Sequence, residues 1–523
     1  MSDVLRNYSW GGNPRKRRRD LRRRAGRVGG WVLVAAALLL AAALWTTRNS
    51  HDMGGLVPAD GAVHASVDEI MRKRDLLARS RIWELFPEES AARGAAKAAT
   101  GELPVPEWLL NNLSTGVSHW VSPRLDDFSE VLLVTRMTRI GCLAAKLSRF
   151  LPGIEGDHAG GLRLCKVADA GLYYAVRGRI LLASPSRRAL VHALTLDGKE
   201  ALGEGALKAW VAGATGADLF GRIDPATHAL LSGWFDRVEF TLRVAPEGAS
   251  AAVRAHLNDG RRGMFAAQLQ GVSPQRLTAP PSGPLALSAS LGLPLREALP
   301  RVAAVMGREA AVAAFLEAPA PDTAAPWGAF AGLARAVLLQ AGSGLRLSWR
   351  GMDVDEMVPV PLVVATVDGG AEALAALRES PPAPPKDNPE IDWIPRVEPE
   401  TGIIHVPLVG GPSIEPTFAE YGGGVLVSSS LDDARAVLGG APPETIEQSG
   451  NLYLSMRPDQ VMDAVGEAGS ELATFGFLRD HTPESFLGLL VPWREIAAKI
   501  NVVSLLAGYE SDELQVSAWM QMQ

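Results

Sequence analysis

One order of elements occurs twice in this chain, and the repetition limits its possible folds more than any single motif does. The first copy opens with a strand at 62–67, AVHASV, and a helix that starts with Ser66 and Glu69 in capping-box spacing and carries Met71, Ala78, Ile82 and Leu85 at helical intervals. The second opens with LALSASL at 285–291 and a helix over 296–306. VLLVTRM (131–137) before a helix at 142–150 is matched by LVVATVD (362–368) before one at 371–377. ILLASPSRRAL at 180–190 aligns with VLVSSSLDDAR at 425–435, an offset of 245. Ser184, Ser430 and Asp433 are placed there to cap helices, with Pro185 at a first helical position. DLFGRIDPA (218–226) then aligns with NLYLSMRPD (451–459) at an offset of 233.

Each copy closes on a hairpin. VEFTLRV (238–244) alternates in period two, turns through APEG and returns along Ala251, Val253, Ala255 and Leu257. The chain ends the same way, from VVSLLAGY through a turn at 510–513 to Leu514, Val516 and Ala518. Such alternation indicates antiparallel sheet with one buried face. At 523 residues the chain exceeds one hydrophobic core. Strands and helices mix without βαβ alternation, so the expected class is α+β: two related modules, 56–273 and 285–523, with mainly antiparallel sheets and packed helices. The Pro-rich join at 274–284 and the Pro/Ala-rich stretches 318–326 and 381–389 read as loops.

Upstream of both copies, residues 28–45 form an 18-residue run without charge, about 27 Å long as a helix. Trp31 and Trp45 stand near its ends, as interfacial rings do. Arg15, Lys16, Arg17, Arg18, Arg19, Arg22, Arg23, Arg24 and Arg27 cluster on its N-terminal side. The pattern predicts a basic cytoplasmic leader at 1–27, an N-terminal transmembrane helix at 28–46, a polar tether at 46–56 and an exported remainder, as in a single-pass protein of a bacterial inner membrane. A cleaved signal peptide fits less well, because the apolar run is long and 44–48 lacks small residues for cleavage. Counting ten Lys/Arg against two Asp, the leader carries +8, which leaves −14 on the rest of a chain whose net charge is −6. That balance predicts the lipid bilayer as a partner and no nucleic acid.

Cys142 and Cys165 are the only cysteines, so one disulfide is possible, with two buried thiols as the alternative. Without a neighbouring histidine they cannot complete a four-ligand zinc site. The chain has no G-x-S-x-G elbow, no H-E-x-x-H and no phosphate-cradling G-x-x-x-x-G-K-[ST] loop. Its nine histidines are scattered; His64 and His405 fall in strands and read as surface or satisfied residues. The glycines 422–424 read as a hairpin turn. Glu88 with Glu89, Asp126 with Asp127, and Asp432 with Asp433 read as solvated faces or caps. No cofactor and no metal is expected.

VPADGAVHASVDEI followed by LLARSRIWELF, and later LLASPSRRALVHAL, resembles a large group of bacterial membrane-anchored exported proteins classed only as a domain of unknown function. The resemblance implies an envelope address and a duplicated strand-Ser-helix architecture, and it brings no catalytic residues. The expected function is a non-enzymatic envelope protein that binds or scaffolds another envelope component. A carrier or sensor of an apolar ligand, or a hydrolase whose site assembles from distant residues, are the alternatives.

Overall fold

The described strands pair antiparallel, and all but a separate two-stranded pair link into a single sheet of 20 strands. The computed structural model describes the chain from residue 44 onward, except for 86–110, 318–327, 380–394 and several shorter stretches. In the first half the strands are β1 Val63–Asp68, β2 Val117–Ser122, β3 Leu132–Arg136, β4 Ile154–Ala159, β5 Leu162–Val167, β6 Leu172–Arg177, β7 Ile180–Ser184, β8 Leu219–Ile223, β9 Phe235–Ala245 and β10 Gly248–Leu257. In the second they are β11 Leu285–Ser290, β12 Ala341–Asp353, β13 Val360–Gly369, β14 Arg396–Val397, β15 Ile404–His405, β16 Thr417–Tyr421, β17 Gly424–Ser428, β18 Leu452–Met456, β19 Ile500–Glu510 and β20 Glu513–Met522.

The first half runs β4-β5-β6-β7-β3-β2-β1-β8-β9-β10 across the sheet. The second continues as β20-β19-β18-β11-β12-β13-β17-β16-β15-β14, so each strand of one half has the partners of the strand ten places later. The halves meet where β10 pairs with β20, from Gly248↔Gln521 to His256↔Glu513. This seam is self-complementary about the Ala252↔Ser517 pair, like an isologous interface between two copies.

Several expectations are corrected by this arrangement. The sheets of the two halves join into one: β10 and β20 would each be an open edge of unpaired amides, and their pairing satisfies both. Among the described residues no helix is long and apolar enough to cross a membrane. The longest, Pro458–Thr474, has 17 residues and carries Asp459, Asp463, Glu467 and Glu471. The α+β reading with an N-terminal transmembrane helix therefore gives way to a mainly antiparallel sheet with amphipathic helices, and the single-pass, signal-anchored reading has no support in the structure. Trp31, Trp45 and the cluster from Arg15 to Arg27 lie outside the described residues. The expected tether at 46–56 is partly core, with Met53 and Leu56 buried. Within the expected loop at 274–284, Gln275–Thr278 forms a strand with Thr445–Gly450 and buries Leu277, because Pro274 and Pro280 flank that run without interrupting it.

Turn chemistry fixes the register. Two-residue turns join β6 to β7 and β16 to β17, with Gly422 and Gly423 at φ 58° and 83°. Pairing through them makes Ser184 equivalent to Ser428, an offset of 244 in place of 245. The helix after β7, α2 (Arg187–Thr195), is capped by Ser186 and not by Ser184, and its counterpart Leu431–Leu438 is capped by Ser430. Helix α1 (Arg139–Leu147) follows β3 with Thr138 as its cap. It packs on one face of the sheet through Cys142 and Ala145, while α2 and α3 (Glu204–Gly213) cover the other through Leu190, Leu194 and Leu207.

At the terminal hairpin the turn uses Ser511 and Asp512 at φ 51° and 69°, where L side chains are strained. Ser511→Gly is expected to raise stability by about 1 kcal/mol, read as a higher midpoint in urea unfolding.

Candidate functional site

On the face covered by α3, strands β2, β1, β8, β9 and β10 bring distant residues into two rows. Cross-strand pairing sets Val121, His64, Arg222, Glu239 and Arg254 side by side, and His119, Ser66, Phe220, Thr241 and Ala252 in the row beneath. Trp210 of α3 lies over the junction of the rows, edge-on to Phe220 (centroids 5.9 Å apart) and to His64 (5.8 Å), and 6.3 Å from His119. Beside the tryptophan opens a cleft of about 450 Å3 lined by Phe220, Arg222, Arg237, Glu239, Thr241 and Arg254.

Beneath Trp210 the polar groups are sealed. Ser66 has no exposed surface and its hydroxyl lies 2.6 Å from His119 Nδ1. His64 and His119 are each 1% exposed; neither ring nitrogen of His64, nor Nε2 of His119, has a hydrogen-bond partner. Burial holds the His64 pKa down to about 4, helped by the Arg222 guanidinium and opposed by the Ala59 and Gly61 carbonyls and Asp60. Burial likewise brings His119 to about 4, with Glu204 pulling upward and His64 downward. Both imidazoles are neutral at pH 7.

Glu204 opens α3 and ties the site to the N-terminal segment. Its carboxylate accepts from the Gly54 amide at 3.3 Å and lies 3.5 Å from Lys208 and 4.0 Å from Arg136. A side-chain hydrogen bond with Asp52 pushes the Asp52 pKa up and that of Glu204 down. The arrangement places a Ser–His pair in the core without a carboxylate bonded to the histidine, and with the hydroxyl out of reach of solvent. A serine nucleophile needs both an oriented base and an approach for its substrate.

The second half shows which of these features the fold itself requires. Ser66 has Ser288 as its counterpart, also buried, but His64 is replaced by Ala286 and His119 by Arg346. Arg346 is held by Asp368 at 2.8 Å and by Thr278. Arg222, Arg237, Glu239 and Arg254 correspond to Ser455, Val502, Ser504 and Trp519. The same strand frame thus folds without the histidine pair and without the arginines.

No family model and no curated protein matches this chain. Among solved structures, crystal form I of TP0453 shares 9% identity over 44% of this chain and 88% of that one, with a TM-score of 0.24. Crystal form III of the same protein gives 9%, 44%, 90% and 0.25. The likeness is too slight for fold or function to be drawn from it.

Sequence reading took His64 as a surface or satisfied residue, whereas it is buried and its ring is unpaired. His405 is largely buried and stands 3.5 Å from Glu415. Cys142 and Cys165 are both free thiols; Cys142 donates to the Gly178 carbonyl at 3.0 Å. Asp432 is solvated, but Asp433 is 10% exposed and pairs with Arg350 at 2.5 Å, and burial raises its pKa. Glu88, Glu89 and Asp126 lie outside the described residues. Among the described residues no three His, Cys, Asp or Glu side chains converge as metal ligands do.

Proposed function

We propose that this protein is a non-enzymatic binding module whose first half receives an acidic segment of a partner protein in the cleft beside Trp210. One observation carries the reading: Arg222, Arg237 and Arg254 gather around a single carboxylate, Glu239, at positions that are neutral in the second half. Guanidinium groups in a row, with an aromatic wall at one side, suit a carboxylate-bearing peptide that also carries apolar side chains. The sealed Ser66–His119 pair supports a binding role over a hydrolytic one.

The setting we propose is a bacterial envelope, on the strength of the resemblance in the opening motif; a C-terminal reporter enzyme active only in the cytosol would remove it. Arg222→Glu with Arg254→Glu is expected to lower partner capture at least tenfold in photo-crosslinking from position 241, at the cleft wall, in cells, with the melting temperature unchanged. Capture of nucleic acid in place of protein, or capture indifferent to the charge reversal, defeats the proposal.

A further inference from the structure

Helix α3 is fastened at its start. Backbone bonds zip the chain before β1 to the chain before the helix, from the Ala59 amide to the Glu200 carbonyl at 2.9 Å, from Leu202 to Val57 at 2.9 Å and from Gly203 to Gly54 at 3.1 Å. Gly54 is pressed against the first turn, where a Cβ on it would sit 2.3 Å from the Glu204 amide nitrogen. Beyond that end, Leu207 is the one buried side chain among the described residues of α3, with Trp210 partly buried. The helix supplies a wall of the cleft through Ala206 and Trp210.

What lies beneath it is built for neutral rings. His64 and His119 are sealed under Trp210, and three of their four ring nitrogens have no hydrogen-bond partner among the described residues. Charged groups face them from every neighbouring element: Asp60 before β1, Arg222 on β8, Glu204 and Lys208 on α3, Asp52 ahead of Gly54 and Arg136 on β3. Arg222 stands beside His64 in the cross-strand row and would repel a second cation. Glu204 draws His119 toward its charged form, but that carboxylate is already engaged by the Gly54 amide, Lys208 and Arg136. Asp52 and Glu204 are shifted in opposite directions by their mutual bond, so they act on the helix in opposite senses as pH falls. The second half shows what a cation at the His119 position requires: Arg346 has a carboxylate of its own, Asp368, at 2.8 Å. With α3 lifted, water reaches both imidazoles and their ordinary affinity for a proton returns.

From two sealed imidazoles under a helix hinged at its start, we infer that α3 is an acid-operated lid: protons taken up by His64 and His119 undock it, withdraw Trp210 from the cleft and release the occupant. The release step rests on the reading of the cleft as a binding site; the undocking does not.

Hydrogen exchange of the full chain, followed by mass spectrometry and corrected for the intrinsic effect of pH, tests the undocking. With folded pKa values of about 4 against 6.5, acidification from pH 7 to 5 is expected to raise the opening of 204–210 roughly twentyfold for each histidine and on the order of several hundredfold for the pair. His119→Gln alone should keep the smaller rise, and His119→Gln with His64→Ala, the residue type at the equivalent position of the second half, should abolish it. Strand β11 is the internal reference and should keep its protection. A fluorescein-labelled octapeptide alternating glutamate with leucine is expected to bind at pH 7, to leave at pH 5 and to stay bound at pH 5 in the double variant. Protection of 204–210 that is indifferent to pH, that falls equally in the variants, or that falls in step with β11 overturns the lid. Peptide retained at pH 5 after the helix has opened overturns the release. Opening of the helix without peptide binding at pH 7 upholds the lid and removes the reading of the cleft on which release rests.

Discussion

Taking the pH from 7 to 4 is expected to strip roughly 6 kcal/mol from the folded protein through two residues, His64 and His119. Each has a folded pKa of about 4 against an ordinary 6.5, because burial beneath Trp210 disfavours the cation more than the Ala59 and Gly61 carbonyls and Asp60 beside His64, or Glu204 near His119, favour it. Between those values the unfolded chain binds more protons than the folded one, so stability falls as pH falls: intact above pH 6.5, declining to about pH 4, and level below. Each histidine contributes about 3 kcal/mol over that interval. Asp433 works in the opposite direction, since burial raises its pKa and its protonation favours the folded state. The effect is therefore isolated by comparison with the double variant His64→Leu, His119→Gln. Urea unfolding at pH 7, 5.5 and 4 should show the wild type losing several kcal/mol more than the variant; equal losses would mean that the histidines are solvated or paired.

How far the sequence foretold these features depends on whether they are local. The strands of both hairpins, the repeated element order and the turn at Gly422 and Gly423 follow from period-two alternation and turn chemistry, which a single segment carries in itself. The one-residue error in aligning β7 with β17 arose because both segments are apolar runs, and only the hairpin turns set their register. The histidine site was hidden for a different reason. His64 and His119 are 55 residues apart in sequence and Trp210 a further 91, so their meeting depends on β1 pairing with both β2 and β8. Lone histidines in strands gave no hint of it.

The continuity of the sheet makes a sharp demand at Gly248, and Gly248→Val is expected to cost about 4 kcal/mol and to split one unfolding transition into two. This glycine opens β10 opposite Gln521 at the end of the seam, and a Cβ there would sit 2.1 Å from the Met520 carbonyl oxygen and 3.1 Å from its carbon. Backbone cannot yield as a flexible side chain can, so β20 must move away from β10 or the hairpin must rotate. Either response breaks pairs of a seam that spans Gly248 to His256 and leaves amides of both strands unpaired. The two-fold counterpart of Gly248 is Glu513, which stands opposite His256 and pairs with it at 2.9 Å. Ala252→Val at the centre of the seam is the control, since a β-branched residue suits a strand and is expected to change stability by less than about 1 kcal/mol. Calorimetry should show one transition for the wild type and for Ala252→Val, and two for Gly248→Val, one for each half of the sheet. A single transition at the wild-type temperature in Gly248→Val would show that the halves fold as separate sheets which merely touch.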